Sequence, residues 1–77
     1  MVLRFSPDSL RAVRKARGLT LRQLAAISGH SYVTIATTEL GKSVPGVNVL
    51  ADFAEALDTD ICQFFEQAHA DSSGGAR

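Results

Sequence analysis

The sequence predicts an all-α fold, a compact domain of five short helices. Apolar residues return at three- and four-residue spacing, and no stretch alternates cleanly between apolar and polar residues. Residues that favour helix starts and glycines that favour helix ends divide the chain into short segments. A chain of 77 residues has room for one small hydrophobic core. We therefore expect a single domain over residues 1–69 and a polar, glycine-rich, disordered tail over residues 70–77.

Each helix is predicted from the residues at its ends. Small polar residues, whose side chains accept hydrogen bonds from first-turn amides, stand before four of the helices: Ser6, Thr20, Ser31 and Asp60. Glutamines three residues later complete capping-box patterns for two of these caps, at Gln23 and Gln63. Glycines able to take the left-handed conformation follow the first three helices: Gly18, Gly29 and Gly41. The expected helices cover residues 7–17, 21–28, 32–40, 47–57 and 61–68.

Apolar periodicity supports the last two helices and identifies the core. The fourth helix carries an apolar face that we expect in the core, formed by Val47, Leu50, Phe53, Ala54 and Leu57. The fifth has Ile61, Phe64, Phe65 and Ala68 at the spacing of one helix face. Residues expected to meet in the core come from the first four helices and one loop: Leu10, Val13, Leu19, Leu24, Ala25, Ile35, Leu50, Phe53 and Leu57. Packing in the core explains the apolar residues at these positions, and no functional explanation is needed.

The net charge is zero, but the two halves of the chain differ. Residues 1–42 hold seven basic and two acidic side chains, whereas residues 43–77 hold one basic and six acidic ones. A basic half can approach phosphates while an acidic half points away, which favours a nucleic-acid partner. The alternative is that both halves are ordinary solvated surfaces, and charge alone does not choose between them.

Several functional classes are disfavoured by what the sequence contains. A single cysteine permits no internal disulfide, and no stretch is apolar and long enough for a bilayer span or a secretory signal, so we expect a cytoplasmic protein without membrane association. His30 and His69 are the only histidines, and no nucleophile motif or glycine-rich phosphate loop is present. We expect no enzyme activity, no metal site and no cofactor.

Residues 20–39 look like two short helices joined by a tight turn at Gly29, and the surrounding sequence extends this likeness. The chain resembles the Cro and repressor type of helix-turn-helix, the XRE family, from about Leu10 to Phe65. The matching residues are Arg17-Gly18-Leu19-Thr20, Leu24-Ala25, Gly29, Ser31, Thr34-Ile35, Glu39, Gly41-Lys42, Pro45 and Ala54-Glu55-Ala56-Leu57. The resemblance implies a repressor-like DNA-binding domain whose third helix enters the major groove of double-stranded DNA.

The resemblance also implies roles for particular residues. Base contacts fall to four residues on the third helix: Tyr32, Val33, Thr34 and Thr37. Contacts with the sugar-phosphate backbone fall to residues near the helix starts and after the third helix: Leu21, Arg22, Ser31, Lys42 and Ser43. His30, in the turn, is a further backbone candidate, with an exposed turn residue as the alternative. Arg14 and Glu39 occupy the places of a structural ion pair that fixes the third helix.

Two features of the third helix depart from the family pattern. The helix carries no Arg, Lys, Asn or Gln, the side chains that bond base edges bidentately, and offers hydroxyls, methyls and one phenol instead. Thr38 stands where relatives have a large apolar residue, and we expect Leu40 to compensate for it in the core. Leu21 is a smaller departure, because relatives often have a polar phosphate-binding residue at that position.

Together these features predict a sequence-specific DNA-binding transcription regulator, a repressor that acts as a homodimer on a partly palindromic operator. The predicted dimer interface is the fifth helix, with Ile61, Phe65 and Ala68, because Phe64 and Phe65 cannot easily both be buried in so small a core. The alternative is that Phe64 and Phe65 are both core residues. The alternative function is a helical protein-interaction module with little DNA affinity. Its partner would be another protein, such as a toxin, a polymerase subunit or another regulator.

Overall fold

The computed structural model describes residues 2–68, which form four α-helices, one turn of 3₁₀ helix and a two-stranded antiparallel sheet. In chain order the elements are β1 (Val2–Phe5), α1 (Pro7–Ala16), α2 (Leu21–Ser28), α3 (Tyr32–Glu39), α4 (Val47–Ala56), the 3₁₀ helix (Ile61–Phe64) and β2 (Phe65–Ala68). The first four predicted helices are present, and three of them end one residue earlier than expected. His69 and the tail expected over residues 70–77 lie outside the described residues.

Side-chain capping sets the starts of the first three helices. The Ser6 hydroxyl accepts the amide three residues on, at 3.2 Å. Thr20 and Gln23 form a reciprocal capping box, with bonds of 3.1 and 2.8 Å. The Ser31 hydroxyl accepts the Thr34 amide at 3.1 Å and starts α3. These starts agree with the sequence prediction because capping depends only on residues close in the chain.

The prediction of a compact, mostly helical domain is confirmed, but the predicted fifth helix over residues 61–68 is wrong, and the fold includes a small sheet. One turn of 3₁₀ helix is followed directly by β2, which pairs antiparallel with β1. The Asp60 side chain makes no capping bond. The capping-box pattern formed by Asp60 and Gln63 therefore does not start an α-helix here.

The sheet forms from contacts between the two ends of the described chain. The Ser6 amide donates to the Phe64 carbonyl oxygen at 2.7 Å, and the Phe64 ring is fully buried. Phe5 lies opposite Phe65 in the register, and their rings meet edge to face with centroids 6.3 Å apart. Four-residue strands are too short to show alternation in the sequence, and the partner of β2 lies far away along the chain.

The core lies between the helices and is closed by the 3₁₀ helix. Its buried apolar residues are Leu10, Leu24, Ile35, Leu50, Phe53, Ala54, Leu57 and Phe64. Seven of them belong to the predicted core, and the predicted Val13, Leu19 and Ala25 are half-buried against it. The prediction of Val47 as a core residue is wrong, because Val47 lies at the start of α4 and is 72% exposed. Among residues 2–68, no helix combines the length and apolar character needed to cross a membrane.

Candidate nucleic-acid interface

α2 and α3 are joined by a tight turn at Gly29. This glycine has a left-handed φ of 78°, and its amide donates to the Ala25 carbonyl oxygen at 3.0 Å. A side chain would be strained in that conformation. Leu24 of α2 and Ile35 of α3 are both fully buried in the common core. The turn and the core together hold the two helices in one fixed arrangement.

An ion pair ties α3 to α1. The Arg14 guanidinium donates to both Glu39 carboxylate oxygens, through Nε at 2.6 Å and Nη2 at 3.0 Å. Its Nη1 donates to the Leu19 carbonyl oxygen at 2.7 Å. Only 9% of the Arg14 side chain and 7% of the Glu39 side chain are exposed. The hydrogen bond to Glu39 raises the pKa of Arg14 above its ordinary value, against the opposing effect of burial.

The buried side of α3 leaves its opposite side open. Ile35, Thr38 and Glu39 face the core, whereas Tyr32 and Val33 are exposed, Val33 to 65%. Thr34 and Thr37, the other two residues predicted to contact bases, are half-buried. Of the four predicted base-contacting residues, Tyr32 and Val33 are thus exposed on α3, and Thr34 and Thr37 are partly covered.

The Arg22 guanidinium lies over the ring of Tyr32, with its central carbon 4.8 Å from the ring centroid. This cation–π contact links the first turn of α2 to the first turn of α3. One face of the guanidinium is covered by the ring, but its N–H groups at the edge remain able to donate. The contact places a positive charge next to the exposed face of α3.

The expectation that Leu40 compensates for Thr38 in the core is wrong. Thr38 itself is buried, with 1% of its surface exposed, and its hydroxyl donates to the Thr34 carbonyl oxygen at 2.7 Å. Leu40 is 68% exposed. Threonine is tolerated in the core because its hydroxyl is satisfied within the helix, so no larger apolar residue has to replace it.

The residues predicted to contact the DNA backbone lie around α3. Arg22, Ser31, Lys42 and Ser43 are exposed, and Leu21 is half-buried. The Lys42 amide donates to the Thr37 carbonyl oxygen at 3.0 Å, which keeps Lys42 close to the C-terminal end of α3. First-turn amides of α2 and α3 have no acceptor within their own helices, and only the third in each is capped. Side chains at both ends of α3, and first-turn amides at its N-terminal end, can therefore hold phosphates.

His30 is directed toward α4 and does not join this group. Its Nε2 lies 2.8 Å from an Asp52 carboxylate oxygen, and its ring meets the Phe53 ring edge to face at 5.4 Å. The turn before α3 is thereby attached to α4. The sequence pattern does not reveal this contact, because Asp52 lies on a different helix.

The basic side chains divide into two groups by their contacts. Four of them have partners within the fold: Arg4 with Glu66, Arg11 with Asp8, Arg14 with Glu39, and Arg17 with the Leu57 and Asp58 carbonyls. Within residues 2–68, three side chains have neither an acidic partner at ion-pair distance nor a hydrogen bond to a carbonyl oxygen: Lys15, Arg22 and Lys42. Lys15 and Arg22 line the same surface depression beside Tyr32. The sequence analysis does not identify Lys15 as a DNA contact. The available signal is that Lys15 lies four residues after Arg11, on the same face of α1.

The predicted dimer residues occupy elements other than the expected helix. Ile61 is half-buried in the 3₁₀ helix, and Ala68 pairs with Val2 in the sheet. Phe65 is half-buried and lines an apolar groove between the sheet and the loop before α4. The exposed apolar side chains along this groove are Leu3, Val44 and Val47.

Comparison with known proteins finds a matching family model and a similar regulator. The HTH_3 helix-turn-helix family model matches residues 10–64. The uncharacterized HTH-type transcriptional regulator y4dL of Sinorhizobium fredii is 42% identical over 54 residues, which are 70% of this chain and 28% of that protein.

Two crystal structures are also similar. An HTH_3 family transcriptional regulator from Vibrio cholerae matches with a TM-score of 0.73 and 31% identity, over 75% of this chain and 33% of that one. The restriction-modification controller protein C.AhdI from Aeromonas hydrophila matches with a TM-score of 0.74 and 29% identity, over 77% of this chain and 89% of that one. The chain spans less than two thirds of the Sinorhizobium and Vibrio proteins. The family match covers most of the chain, including both helices of the turn unit, and the chain therefore belongs to the HTH_3 family of helix-turn-helix proteins.

Proposed function

We propose that the chain is a sequence-specific DNA-binding domain of a transcription regulator, with α3 inserted in the major groove. One observation carries the proposal. α3 is fixed to the core by Ile35 and by the Arg14–Glu39 ion pair, and its opposite side is open. A short helix held this firmly can enter the groove without losing its orientation. The names of the relatives, which are HTH-type transcriptional regulators, support the same function.

The phosphate contacts in this proposal lie on both sides of α3. Lys42 and Ser43 follow its C-terminal end, while Ser31 and the first turn of α2, Leu21 and Arg22, lie at its N-terminal end. Lys15 adds a charge beside Arg22 that is free of ion pairs within residues 2–68. Contacts of this kind hold the helix in register but do not distinguish sequences. His30 is not part of the proposed interface, because Asp52 holds its ring.

The proposed base contacts are made by the exposed side of α3. Val33 and the threonine methyl groups are suited to thymine methyls, and the hydroxyls of Thr34 and Thr37 are suited to single hydrogen bonds with base edges. The Tyr32 hydroxyl is a further group suited to a base edge, and the Tyr32 ring packs against the Arg22 guanidinium. A surface of hydroxyls and methyls makes fewer bonds than one of glutamines and arginines. DNA shape then contributes a larger share of the specificity.

The proposed active form is a dimer that represses. One small helix-turn-helix unit makes few base contacts, and two units on half-sites one helical turn apart add both affinity and specificity. The groove formed by Leu3, Val44, Val47 and Phe65 is the apolar surface that we propose for the second copy. It follows the phosphate-contacting segment directly in sequence, since Val44 is next to Ser43. A dimer bound over a promoter would repress by excluding the polymerase.

A titration of labelled duplex DNA at two salt concentrations tests DNA binding. Fluorescence anisotropy with a random-sequence duplex at about 50 and about 200 mM salt should show affinity falling steeply as salt rises. Arg22→Ala and Lys42→Ala should weaken binding to every duplex alike. Arg17→Ala is the matched control, because it removes one positive charge whose guanidinium is held by the Leu57 and Asp58 carbonyl oxygens. A folded chain with no salt-dependent binding would refute the proposal and favour the protein-interaction function.

A further inference from the structure

The hydroxyl of Thr37 has only one way to use its proton. Its Oγ1 lies 2.9 Å from the Val33 carbonyl oxygen and 3.1 Å from the Thr34 carbonyl oxygen. Carbonyl oxygens only accept hydrogen bonds, so the hydroxyl must be the donor to both. A hydroxyl has a single proton, and here the helix backbone takes it. The oxygen can still accept, because its lone pairs are not engaged by these contacts.

The major groove offers donors and acceptors in a fixed pattern. Guanine presents O6 and N7, thymine presents O4, and adenine presents N7, all of which are acceptors. The donors are the amino groups, N6 of adenine and N4 of cytosine. An oxygen that can only accept is matched by an amino group and opposed by every other polar atom on the base edges.

We infer that Thr37 reads DNA as a hydrogen-bond acceptor, from an exocyclic amino group of adenine or cytosine. The inference depends on the proposed function and deepens it, because it gives the chemical direction of one base contact. Donating to a base instead would require the hydroxyl to leave both carbonyl oxygens. Accepting from an amino group leaves the existing bonds in place.

The neighbouring side chains differ from Thr37 in this respect. The Thr34 hydroxyl lies 2.8 Å from the Ser31 hydroxyl, and either oxygen can be the donor in that pair, so its direction is not fixed. Thr38 also gives its proton to a carbonyl, but it is buried and faces the core. Val33 lies one turn before Thr37 and offers methyl groups only. Among the residues proposed to contact bases, Thr37 is therefore the one whose hydroxyl has a fixed hydrogen-bond direction.

The test couples protein variants to altered bases. The duplex that the unaltered chain selects from a random library is the probe, and bases within it are replaced one at a time. Every natural base pair carries a major-groove amino group, so base preference alone is not informative. 2-Aminopurine in place of adenine, and 2-pyrimidinone in place of cytosine, remove that group. 7-Deazapurines remove the N7 acceptor and leave the amino group of adenine intact.

Thr37→Val removes the oxygen and keeps the shape, whereas Thr37→Ser keeps the hydroxyl. For the unaltered chain and for Thr37→Ser, one amino-group removal should weaken binding by roughly 3- to 10-fold. Thr37→Val should be insensitive to the same replacement, and which analogue shows the effect identifies adenine or cytosine. Thr37→Ala repeats the measurement if Thr37→Val does not show the native circular dichroism spectrum.

Three results would overturn the inference, and they separate it from the proposed function. Coupling of Thr37→Val to a 7-deaza position would mean that Thr37 donates. Equal sensitivity of Thr37→Val and the unaltered chain at every position would mean that Thr37 reads no amino group while sequence-specific DNA binding stands. Failure of the folded, unaltered chain to select any sequence, with or without salt-dependent binding, would overturn the proposed function together with the inference.

Discussion

Arg14 and Glu39 are joined by two hydrogen bonds, of 2.6 and 3.0 Å, across the space between α1 and α3. Both side chains are nearly excluded from solvent. A buried ion pair adds little net stability over an apolar pair of the same size, but loss of one partner leaves a buried charge alone. Because Glu39 is in the last turn of α3, the pair fixes the position of the helix that we place in the groove.

Removal of one partner of this ion pair should be more damaging than removal of both. Glu39→Gln should lower the free energy of unfolding by about 3–5 kcal/mol, since Arg14 then stays buried without its counter-charge. The double variant Arg14→Met/Glu39→Leu should recover most of that loss. Urea denaturation followed by circular dichroism measures both quantities. A double variant as unstable as Glu39→Gln would contradict this explanation.

The contribution of the Arg14 charge should not vary across moderately alkaline pH. Its pKa is raised in the folded protein, mainly by the hydrogen bond to Glu39. A raised pKa of a basic group means that the stability it provides is complete below the unfolded-state pKa. That stability is lost only as pH rises through the folded-state pKa. The difference in unfolding free energy between the unaltered chain and the double variant should thus be equal at about pH 7 and about pH 10. A marked decrease at the higher pH would contradict the prediction.

Tyr32 should support DNA binding largely through Arg22. Tyr32→Phe keeps the ring under the guanidinium and should retain affinity for random-sequence DNA, whereas Tyr32→Ala should weaken it by roughly 2- to 5-fold. In an Arg22→Ala background, the Tyr32→Ala change should have little further effect. Anisotropy titrations of the four variants complete the cycle. Equal losses from Tyr32→Ala in both backgrounds would mean that the ring acts independently of Arg22.

Lys15 and Arg17 are two residues apart but should respond oppositely to substitution. Arg17 donates to the Leu57 and Asp58 carbonyl oxygens, at 2.7 and 3.0 Å, beyond the end of α4. Arg17→Ala should lower the unfolding free energy by about 1–2 kcal/mol and leave the salt dependence of binding unchanged. Lys15→Ala should leave stability within about 0.5 kcal/mol and reduce the salt slope by about one. The reverse pattern would show that Lys15 is not at the DNA surface.

A charge in the apolar groove should separate the proposed dimer. Val47→Glu places a carboxylate beside Leu3 and Val44 and should shift the chain to the monomer in sedimentation velocity. It should also reduce affinity for a two-half-site duplex more than for a single half-site. Ile27→Glu is the control, because Ile27 is an exposed apolar residue of α2 that does not line this groove. Identical sedimentation of the two variants would argue against this interface.

Local sequence signals account for most of the fold and for part of the candidate site. The caps at Ser6, Thr20 and Ser31 act on amides three residues away, so the helices that they start could be predicted. The pairing of Phe5 with Phe65 joins opposite ends of the described chain. The periodic spacing of apolar residues cannot show a contact between residues so far apart in the sequence. The spacing after Asp60 therefore predicted an α-helix where the structure has a turn of 3₁₀ helix and β2.

At the site, the sequence identified residues but not their contacts. The stacking of Arg22 on Tyr32 and the bond from His30 to Asp52 depend on which rotamers the packed helices allow. The burial of Thr38 depends on a hydroxyl that turns back onto its own helix. Residue type alone suggested the DNA backbone as the partner of His30. It also suggested that Leu40 fills the core in place of Thr38.

The small sheet also determines how force would enter the domain. Val2 lies opposite Ala68, so the chain comes into the helical bundle and leaves it at adjacent positions. Tension applied to residues 2 and 68 would act on the outermost pair of the ladder and would peel β1 from β2 one hydrogen bond at a time. Strands loaded in this way separate sequentially and share no load along their length. The helix-turn-helix unit would stay folded until the last pair, Phe5 and Phe65, had parted.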